Sequence, residues 1–243
     1  MPRYRLIIAY DGTNYCGWQR QNNGVSVQEV LEKAAQPLAG KELYYMYASG
    51  RTDAGVHAEI YAANFRGGCP IPLDRLPHAL NSRLPRSVAV LSAEPVPDGF
   101  HAINSCIEKE YTYRIYTSAV RDPLREGRAY HYPYPLDLPL MRDAARKLTG
   151  RHDFACVRTM GTPVKSTVRT LLAFDVAGEG DTVSLTMRAD GFLYNMARAL
   201  AGTLLWANEG KISDIPALIA GKDRSAAGPV LPACGLYMTG VVY

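Results

Sequence analysis

The chain has no run of about 20 uninterrupted apolar residues, the length a membrane-spanning helix needs, although 47% of its 243 residues are hydrophobic. Its opening, MPRYRLIIAYDG, carries only a short apolar stretch and reads as a β-strand rather than a secretory leader. No Cys-x-x-Cys pair occurs, and the five cysteines (Cys16, Cys69, Cys106, Cys156 and Cys234) are an odd number. That excludes a zinc ribbon, a dithiol redox motif and a disulfide framework, and points to reduced thiols in a cytoplasmic setting. The histidines are also scattered: His57 lies near Asp53, but no third ligand stands at useful spacing, so no metal site is expected. Low-complexity and disordered compositions are absent as well. What remains is a folded chain with no membrane partner, long enough for one large or two small domains.

Charge says less in sum than in kind. The net charge of +4 is mild, but most of the basic residues are arginines. Arg51, Arg66, Arg75, Arg83 and Arg86 lie in the first half, Arg121, Arg125 and Arg128 form a short run, and Arg142, Arg146, Lys147 and Arg151 follow. A planar guanidinium bonds phosphate bidentately. A solvated surface and a phosphate-binding surface both fit this pattern.

Period-2 and period-3.6 patterns alternate along the chain. RYRLIIAY reads as a strand. SVQEVLEKAAQPLAG reads as a helix with Ser26 and Glu29 as a capping box, a stripe of Val27, Val30, Leu31, Ala34 and Leu38, and Gly40 just past its end. ELYYMYAS and EIYAANFR read as strands, LDRLPHALNSRLP as a short helix with Asp74 as N-cap and Pro77 in the first turn, and SVAVLSAEPV as a strand. The second half repeats the order. EYTYRIYT is a strand, and LPLMRDAARKLTG is a helix with Met141, Ala144, Ala145 and Leu148 on one face, closed by Gly150. TVRTLLAFDV and DTVSLTMRA are strands joined at AGEG, the latter with Val183, Leu185, Met187 and Ala189 inward. LYNMARALAGTLLWANEG and SDIPALIAG are helices, and CGLYMTGVVY is a closing strand. The expectation is an α+β fold of two ferredoxin-like halves, each a split β-α-β-β-α-β. The boundary falls near Ser105: residues 1–105 form an N-terminal domain, and residues 106–243 a C-terminal domain completing a cleft.

Between two of the first-half strands stands ASGRTDAGVHA, residues 48–58. A hairpin needs far fewer residues than this. Gly50 and Gly55 free the backbone, and Asp53-Ala54-Gly55 alone reads as a polar turn.

The chain as a whole, however, closely resembles the TruA-type tRNA pseudouridine synthases. The resemblance is carried nearly end to end by YDGTNYCGWQRQ with SVQEVLEKA, SGRTDAGVHA, KEYTYRIY, LTGRHDF, DGFLYNMAR and GPVLPACGLYMTGV, in family order. The departures are modest: DFACVRTM lacks the family's usual aromatic, Ala197 stands where a larger aliphatic is common, and WANEG replaces a Val-Gly segment. The resemblance implies isomerisation of uridine to pseudouridine at positions 38, 39 and 40 of the tRNA anticodon stem-loop, by a cytoplasmic homodimer. Asp53 would be the nucleophile, Arg198 its ion-pair partner, Tyr111 a substrate-binding residue stacked on the uracil, and Arg51 a wedge into the space vacated by the flipped base.

The implied reaction breaks an N-glycosidic bond, turns the held uracil and forms a C–C bond at the same sugar carbon. It needs a nucleophile and a closed pocket, with no cofactor and no metal. Read without the resemblance, Arg198 is an ordinary helix arginine, Tyr111 a cross-strand aromatic like Tyr113, and Arg51 a loop charge. A non-catalytic RNA binder built like tandem RRMs is the rival, but neither half shows the aromatic pattern of a base-stacking sheet. A metal-dependent nuclease lacks its carboxylate or histidine cluster.

Overall fold

The computed structural model describes residues 2–39, 46–161 and 163–243. The chain divides into two compact α+β units, Met1–Ile107 with Met238–Tyr243, and Glu108–Tyr237.

The first unit runs β1 (Arg3–Tyr10), α1 (Val27–Ala39), β2 (Tyr47–Ala48), β3 (His57–Arg66), α2 (Leu76–Asn81) and β4 (Val88–Val96). In β1 every second residue is buried, with Tyr4, Leu6, Ile8 and Tyr10 facing the core, as a strand covered on one face requires. It lies between β4 and β3 and is antiparallel to both, Leu6 pairing with Ala93 on one side and Ala63 on the other. The two-residue β2 pairs with β3 through Ala48 and Ala63. The order 4-1-3-2 is that of a split β-α-β-β-α-β unit. Helix α1 covers the sheet with Val27, Leu31, Ala34 and Ala35. Ser26 Oγ accepts the Glu29 N–H at 3.2 Å. Glu29 is held below the usual carboxylate range, first by Lys33 on the next turn and least by the Ser26 backbone. Residues 40–45, which include Gly40 and the first half of the expected ELYYMYAS strand, lie outside the described residues.

One cap differs from expectation. Helix α2 starts at Leu76 with Arg75 as its N-cap and no side-chain cap hydrogen bond, so Asp74 does not cap it. Arg75 and Leu76 donate their N–H groups to the Pro72 carbonyl, which satisfies the entry without a side chain.

The final strand, β10 (Leu236–Val242), lies beside β3. The sequence reading assigned the last six residues to the second half, yet they sit in the first unit. Ile107 donates to the Val242 carbonyl, Tyr243 Oη donates to Ala102 O at 2.9 Å, and the Tyr243 ring packs on Phe100.

The second unit runs β5 (Glu108–Tyr116), β6 (Tyr130–His131), α3 (Leu138–Leu148), β7 (Gly150–Asp153), β8 (Val168–Glu179), β9 (Thr182–Ala189), α4 (Met196–Asn208) and α5 (Ile215–Gly221). Its sheet has the order β5-β9-β8-β7, with β6 parallel to β5. Strand β9 buries Val183, Leu185, Met187 and Ala189, as its alternation predicts. Strand β8 extends past AGEG's first two residues to Glu179, and the hairpin turns on Gly180 and Asp181. The two-residue β6 and the four-residue β7 are too short to show a period in the sequence.

Helix α3 is capped by Asp137, which accepts the Leu140 N–H at 2.9 Å. Its buried face is the expected Met141, Ala144, Ala145 and Leu148. Helix α4 begins three residues later than its pattern suggests, at Met196, because Asn195 holds a left-handed φ of 60°. Asparagine tolerates that conformation. Ten of its thirteen residues are buried, the mark of a central helix.

Candidate active site

The stretch around Asp53 leaves β2 at Ala48 and enters β3 at His57. Its backbone is pinned to the body of the first unit almost residue by residue. Ser49 N–H donates to Ala62 O at 2.8 Å, and the Gly50 carbonyl accepts the Tyr61 hydroxyl at 2.6 Å. The Thr52 carbonyl accepts Trp18 N–H at 3.1 Å, and Gly55 N–H donates to Tyr15 O at 3.3 Å. Asp53 O accepts Val56 N–H at 3.2 Å, closing a turn with Gly55 at φ 78°. That value suits the second central position of a type II turn, which glycine fills without strain. The polar-turn reading of Asp53-Ala54-Gly55 is therefore correct as geometry and does not exclude chemistry.

The side chains sort by direction. Ser49, Thr52, Val56 and His57 are buried, Arg51 and Ala54 are exposed, and Asp53 is intermediate. Thr52 turns inward because its hydroxyl meets that of Tyr10 at 2.7 Å in buried space. This presents Arg51 on one side and Asp53 on the other side of a fixed residue.

A second loop, residues 11–25, braces the first. Gly17 has φ 101°, and a Cβ there would lie 2.5 Å from the Thr52 carbonyl oxygen. Gly12 packs against Val56 so closely that a Cβ would lie 1.9 Å from its carbonyl oxygen. The Gly12 N–H donates to His57 Nδ1 at 3.1 Å. Asp11 Oδ1 lies 3.3 Å from the same ring nitrogen, so the buried His57 serves as a brace between the two loops. Among the described residues no group of three His, Cys, Asp or Glu is placed to hold a metal ion. Beneath both loops Trp18 and Tyr10 pack on Tyr61, with ring centroids 4.5 and 5.5 Å away. Helix α1 begins on this same loop, its first amides at Val27 and Gln28 donating to the Gly17 and Trp18 carbonyls.

Tyr111 and Arg198 belong to the second unit. Tyr111 sits in β5 opposite Met187, 7% exposed, its ring T-shaped against that of Phe192 with centroids 4.9 Å apart. Tyr113, two residues on, is fully buried and donates its hydroxyl to Pro232 O at 2.8 Å. Burial pushes its phenol far above the ordinary range, Cys234 and Tyr130 add to this, and the Arg198 charge opposes it.

Arg198 lies in the first turn of α4 and is not the exposed helix arginine that its sequence position alone suggests. It is half-buried, its Nε donates to Leu231 O at 2.6 Å, and its Nη1 donates to Asn195 Oδ1 at 3.1 Å. The left-handed Asn195 thus sets the helix start and holds the guanidinium. The segment carrying Leu231 is clamped to α4: Gly228 N–H donates to Thr203 Oγ1, and Gly202 approaches Pro229 so closely that a Cβ would lie 2.0 Å from its carbonyl oxygen.

Not all the arginines are available for phosphate. Arg125 bonds Asp181 at 2.8 Å and Asp122 at 3.3 Å and lies over the Tyr116 ring. Its basic run therefore ties the segment after β5 to the β8–β9 turn. Arg51 and Asp53 share one loop, and Tyr111 and Arg198 share the other unit. The Tyr10–Thr52 pair, His57 as brace and Asn195 are supports that sequence reasoning missed. Each joins residues far apart in the chain, or a residue whose backbone angle leaves no periodic trace.

A family model described as tRNA pseudouridine synthase matches residues 6–103 and 144–243. Arg51, Asp53 and Arg198 fall inside these stretches and Tyr111 outside them. Curated relatives similar over the full chain include a tRNA pseudouridine synthase A of Rhodopseudomonas palustris (strain BisA53), 44% identical over 246 residues with all of both chains covered. Another, of Thermoanaerobacter sp. (strain X514), is 40% identical over 245 residues, again with all of both covered. A third, of Syntrophotalea carbinolica, is 43% identical over 245 residues and is covered over 97% of its length.

Proposed function

The chain belongs to the tRNA pseudouridine synthase family, and from that membership we propose that Asp53 is the nucleophile with which it isomerises uridine in the tRNA anticodon stem-loop. The reaction class, an isomerisation of uridine to pseudouridine in tRNA, is that of the family. The residue roles, the choice of positions 38, 39 and 40, a homodimeric state and a cytoplasmic location are part of the proposal.

Pseudouridine formation leaves the atom count unchanged. The bond from uracil N1 to the sugar carbon breaks, the ring turns, and C5 takes N1's place, losing its proton as N1 gains one. A carboxylate suits the start because it can attack and later depart. Asp53 serves whether it adds to the sugar carbon, adds to the ring or assists elimination. To stay ionised in a closed site it needs a nearby cation, since burial alone raises a carboxyl pKa. Arg198 is proposed for that part, its fork already oriented by Leu231 O and Asn195 Oδ1. Tyr111 stacks on the uracil and assists loss of the C5 proton. A stacked base must first leave its helix at a cost of a few kcal/mol. Arg51, exposed two residues before the nucleophile, fills the vacated space and meets the phosphates.

No helix of the described residues is long and apolar enough to cross a membrane. The observation that carries the reading is the rigid presentation of Asp53. The loop is anchored at Ser49, Gly50, Thr52, Asp53 and Gly55 while its carboxylate-bearing residue stays partly accessible. A turn needed only for reversal has no use for so many anchors.

The test is to incubate wild-type protein with an unmodified tRNA transcript and map pseudouridines by sequence position. Conversion confined to positions 38–40 supports the reading. Conversion elsewhere in the tRNA overturns the choice of positions, and binding with no conversion anywhere overturns the isomerase.

A further inference from the structure

Beside the Asp53 loop, wholly within the first unit, lies a cavity of about 420 Å³ whose walls include Trp18, Gln19, Tyr47, Arg51, His101 and Ile103. We propose that this cavity holds an unpaired nucleobase of the RNA, that of a nucleotide flanking the target uridine. The proposal rests on the synthase reading above and adds to it a binding site for a second base.

Three features point to this ligand. The first is a stacking wall. The rings of Tyr47 and His101 lie 4.5 Å apart, and Tyr47 is 44% exposed. Ile103, 45% exposed, adds an apolar edge beside them. A surface of this kind accepts the π-face of any base without selecting its sequence.

The second feature is that the wall is built rather than incidental. Residues 101–105 could have been a loose surface turn, but both backbone groups of Ala102 are taken by side chains. Its N–H donates to the buried Asn64 Oδ1 at 2.7 Å, and its carbonyl accepts Tyr243 Oη at 2.9 Å. The His101 N–H donates to Ser105 Oγ at 3.1 Å, and the Ser105 N–H returns to His101 O at 2.8 Å. The Ile103 N–H donates to His101 Nδ1 at 3.2 Å, which fixes the ring's orientation. The lining also includes the pinned Gly50, whose carbonyl accepts the Tyr61 hydroxyl. Such preorganisation lowers the ordering cost of a bound group.

The third feature is charge and position. Among the described residues the lining contains Arg51 and no carboxylate, which favours a base whose phosphate meets the guanidinium. Arg51 stands two residues from Asp53, a Cα separation of at most ~7 Å. A base lodged beside Arg51 is therefore a near neighbour of the reacting one along the strand. Holding it would fix the register of the RNA without reading its sequence, as a site accepting adjacent target positions needs.

The test is a coupling measurement on anticodon-arm RNA, in which each base flanking the target uridine is replaced in turn by an abasic residue. Binding is measured with wild-type protein and with Tyr47→Ala, Tyr47→Phe and Ile103→Glu. Tyr47→Ala should weaken binding of intact RNA about fivefold to a hundredfold, the range for loss of one stacked base. Tyr47→Phe, which keeps the ring, should stay within about twofold of wild type. Ile103→Glu, at an exposed position that does not threaten the fold, should also weaken binding. One abasic RNA should lose affinity for wild type by the Tyr47→Ala factor and lose nothing further with Tyr47→Ala. Unchanged binding by Tyr47→Ala, or losses that multiply for every abasic position, overturns the proposal. Pseudouridine is assayed in the same samples: coupling without conversion by wild type would sink the synthase reading and leave the base pocket standing.

Discussion

The hydroxyls of Tyr10 and Thr52 meet at 2.7 Å in buried space, joining the end of β1 to the residue before Asp53. This one bond decides which way the loop faces, since it turns Thr52 inward and so leaves Arg51 outward. Removing the Tyr10 hydroxyl takes this partner from the buried Thr52 hydroxyl, a cost of ~1–3 kcal/mol. Tyr10→Phe should lower stability by about 1 kcal/mol. It should also lower kcat for pseudouridine formation more than it raises KM, because the reacting group is displaced while RNA contacts remain. Denaturant titration and steady-state kinetics check this, and unchanged kcat would mean that the bond only stabilises the fold.

Gly17 braces the loop at the residue before Asp53. Its φ of 101° is unfavourable for any side chain, and a Cβ would press into the Thr52 carbonyl oxygen at 2.5 Å. Gly17→Ala should cost at least ~1–3 kcal/mol and reduce activity beyond the fraction unfolded. Gly221, where a Cβ meets nothing within 4 Å, is the control; Gly221→Ala should be nearly silent in urea titration.

Tyr111 and Tyr113 share a strand and one sheet face, and their hydroxyls separate the two kinds of work. Tyr113→Phe removes the bond to Pro232 O and should cost ~1 kcal/mol of stability, with kcat retained in the folded fraction. Tyr111→Phe should lower kcat beyond any change in the folded fraction. Equal effects of the two substitutions on kcat would remove the proposed role of Tyr111.

Asp153 ties the second unit together while it is ionised, and stops doing so as it is protonated at low pH. Lys222 beside it, then the Thr167 hydroxyl, hold its carboxyl below the usual range. It also caps the short helix Phe154–Val157 through the Ala155 N–H. A depressed folded pKa gives stability that is present above the unfolded value of ~4 and lost as pH falls through the folded one. Asp181 and Glu209, lowered first by Arg125 and Lys211 respectively, act in the same sense. Thermal unfolding should therefore be flat from neutral pH down to about 5 and fall steeply below about 4. Asp153→Asn should lower the neutral plateau by ~1 kcal/mol, the worth of a cap, and make the acid limb shallower. An acid limb identical to wild type would contradict this.

The fold was legible wherever a period was long enough to count. The alternation of β1 and β9 and the stripe of α3 name their buried residues directly, whereas in α1 Val27, Leu31 and Ala34 are buried as expected, Val30 and Leu38 are only partly buried, and Ala35 is buried in addition. It was not legible in β6 and β7, which have two and four residues. Nor was it legible at Asn195, whose left-handed φ delays α4. Asp74 looked like a cap by type, but the entry to α2 is closed by the Pro72 carbonyl, a backbone solution that no side chain reveals. At the candidate site, the sequence showed the loop and its glycines. It hid what holds them, because Tyr10 with Thr52 and Gly12 with His57 meet only after folding, 42 and 45 residues apart. Leu231 likewise reaches Arg198 from 33 residues away.

The most direct test of the central claim compares wild type and Asp53→Asn on the same unmodified tRNA transcript, with EDTA present and with RNA binding and pseudouridine content both measured. The account predicts that the wild type converts anticodon-arm uridines and that Asp53→Asn binds the RNA with similar affinity yet converts none. Conversion by Asp53→Asn at a rate near that of the wild type would contradict it.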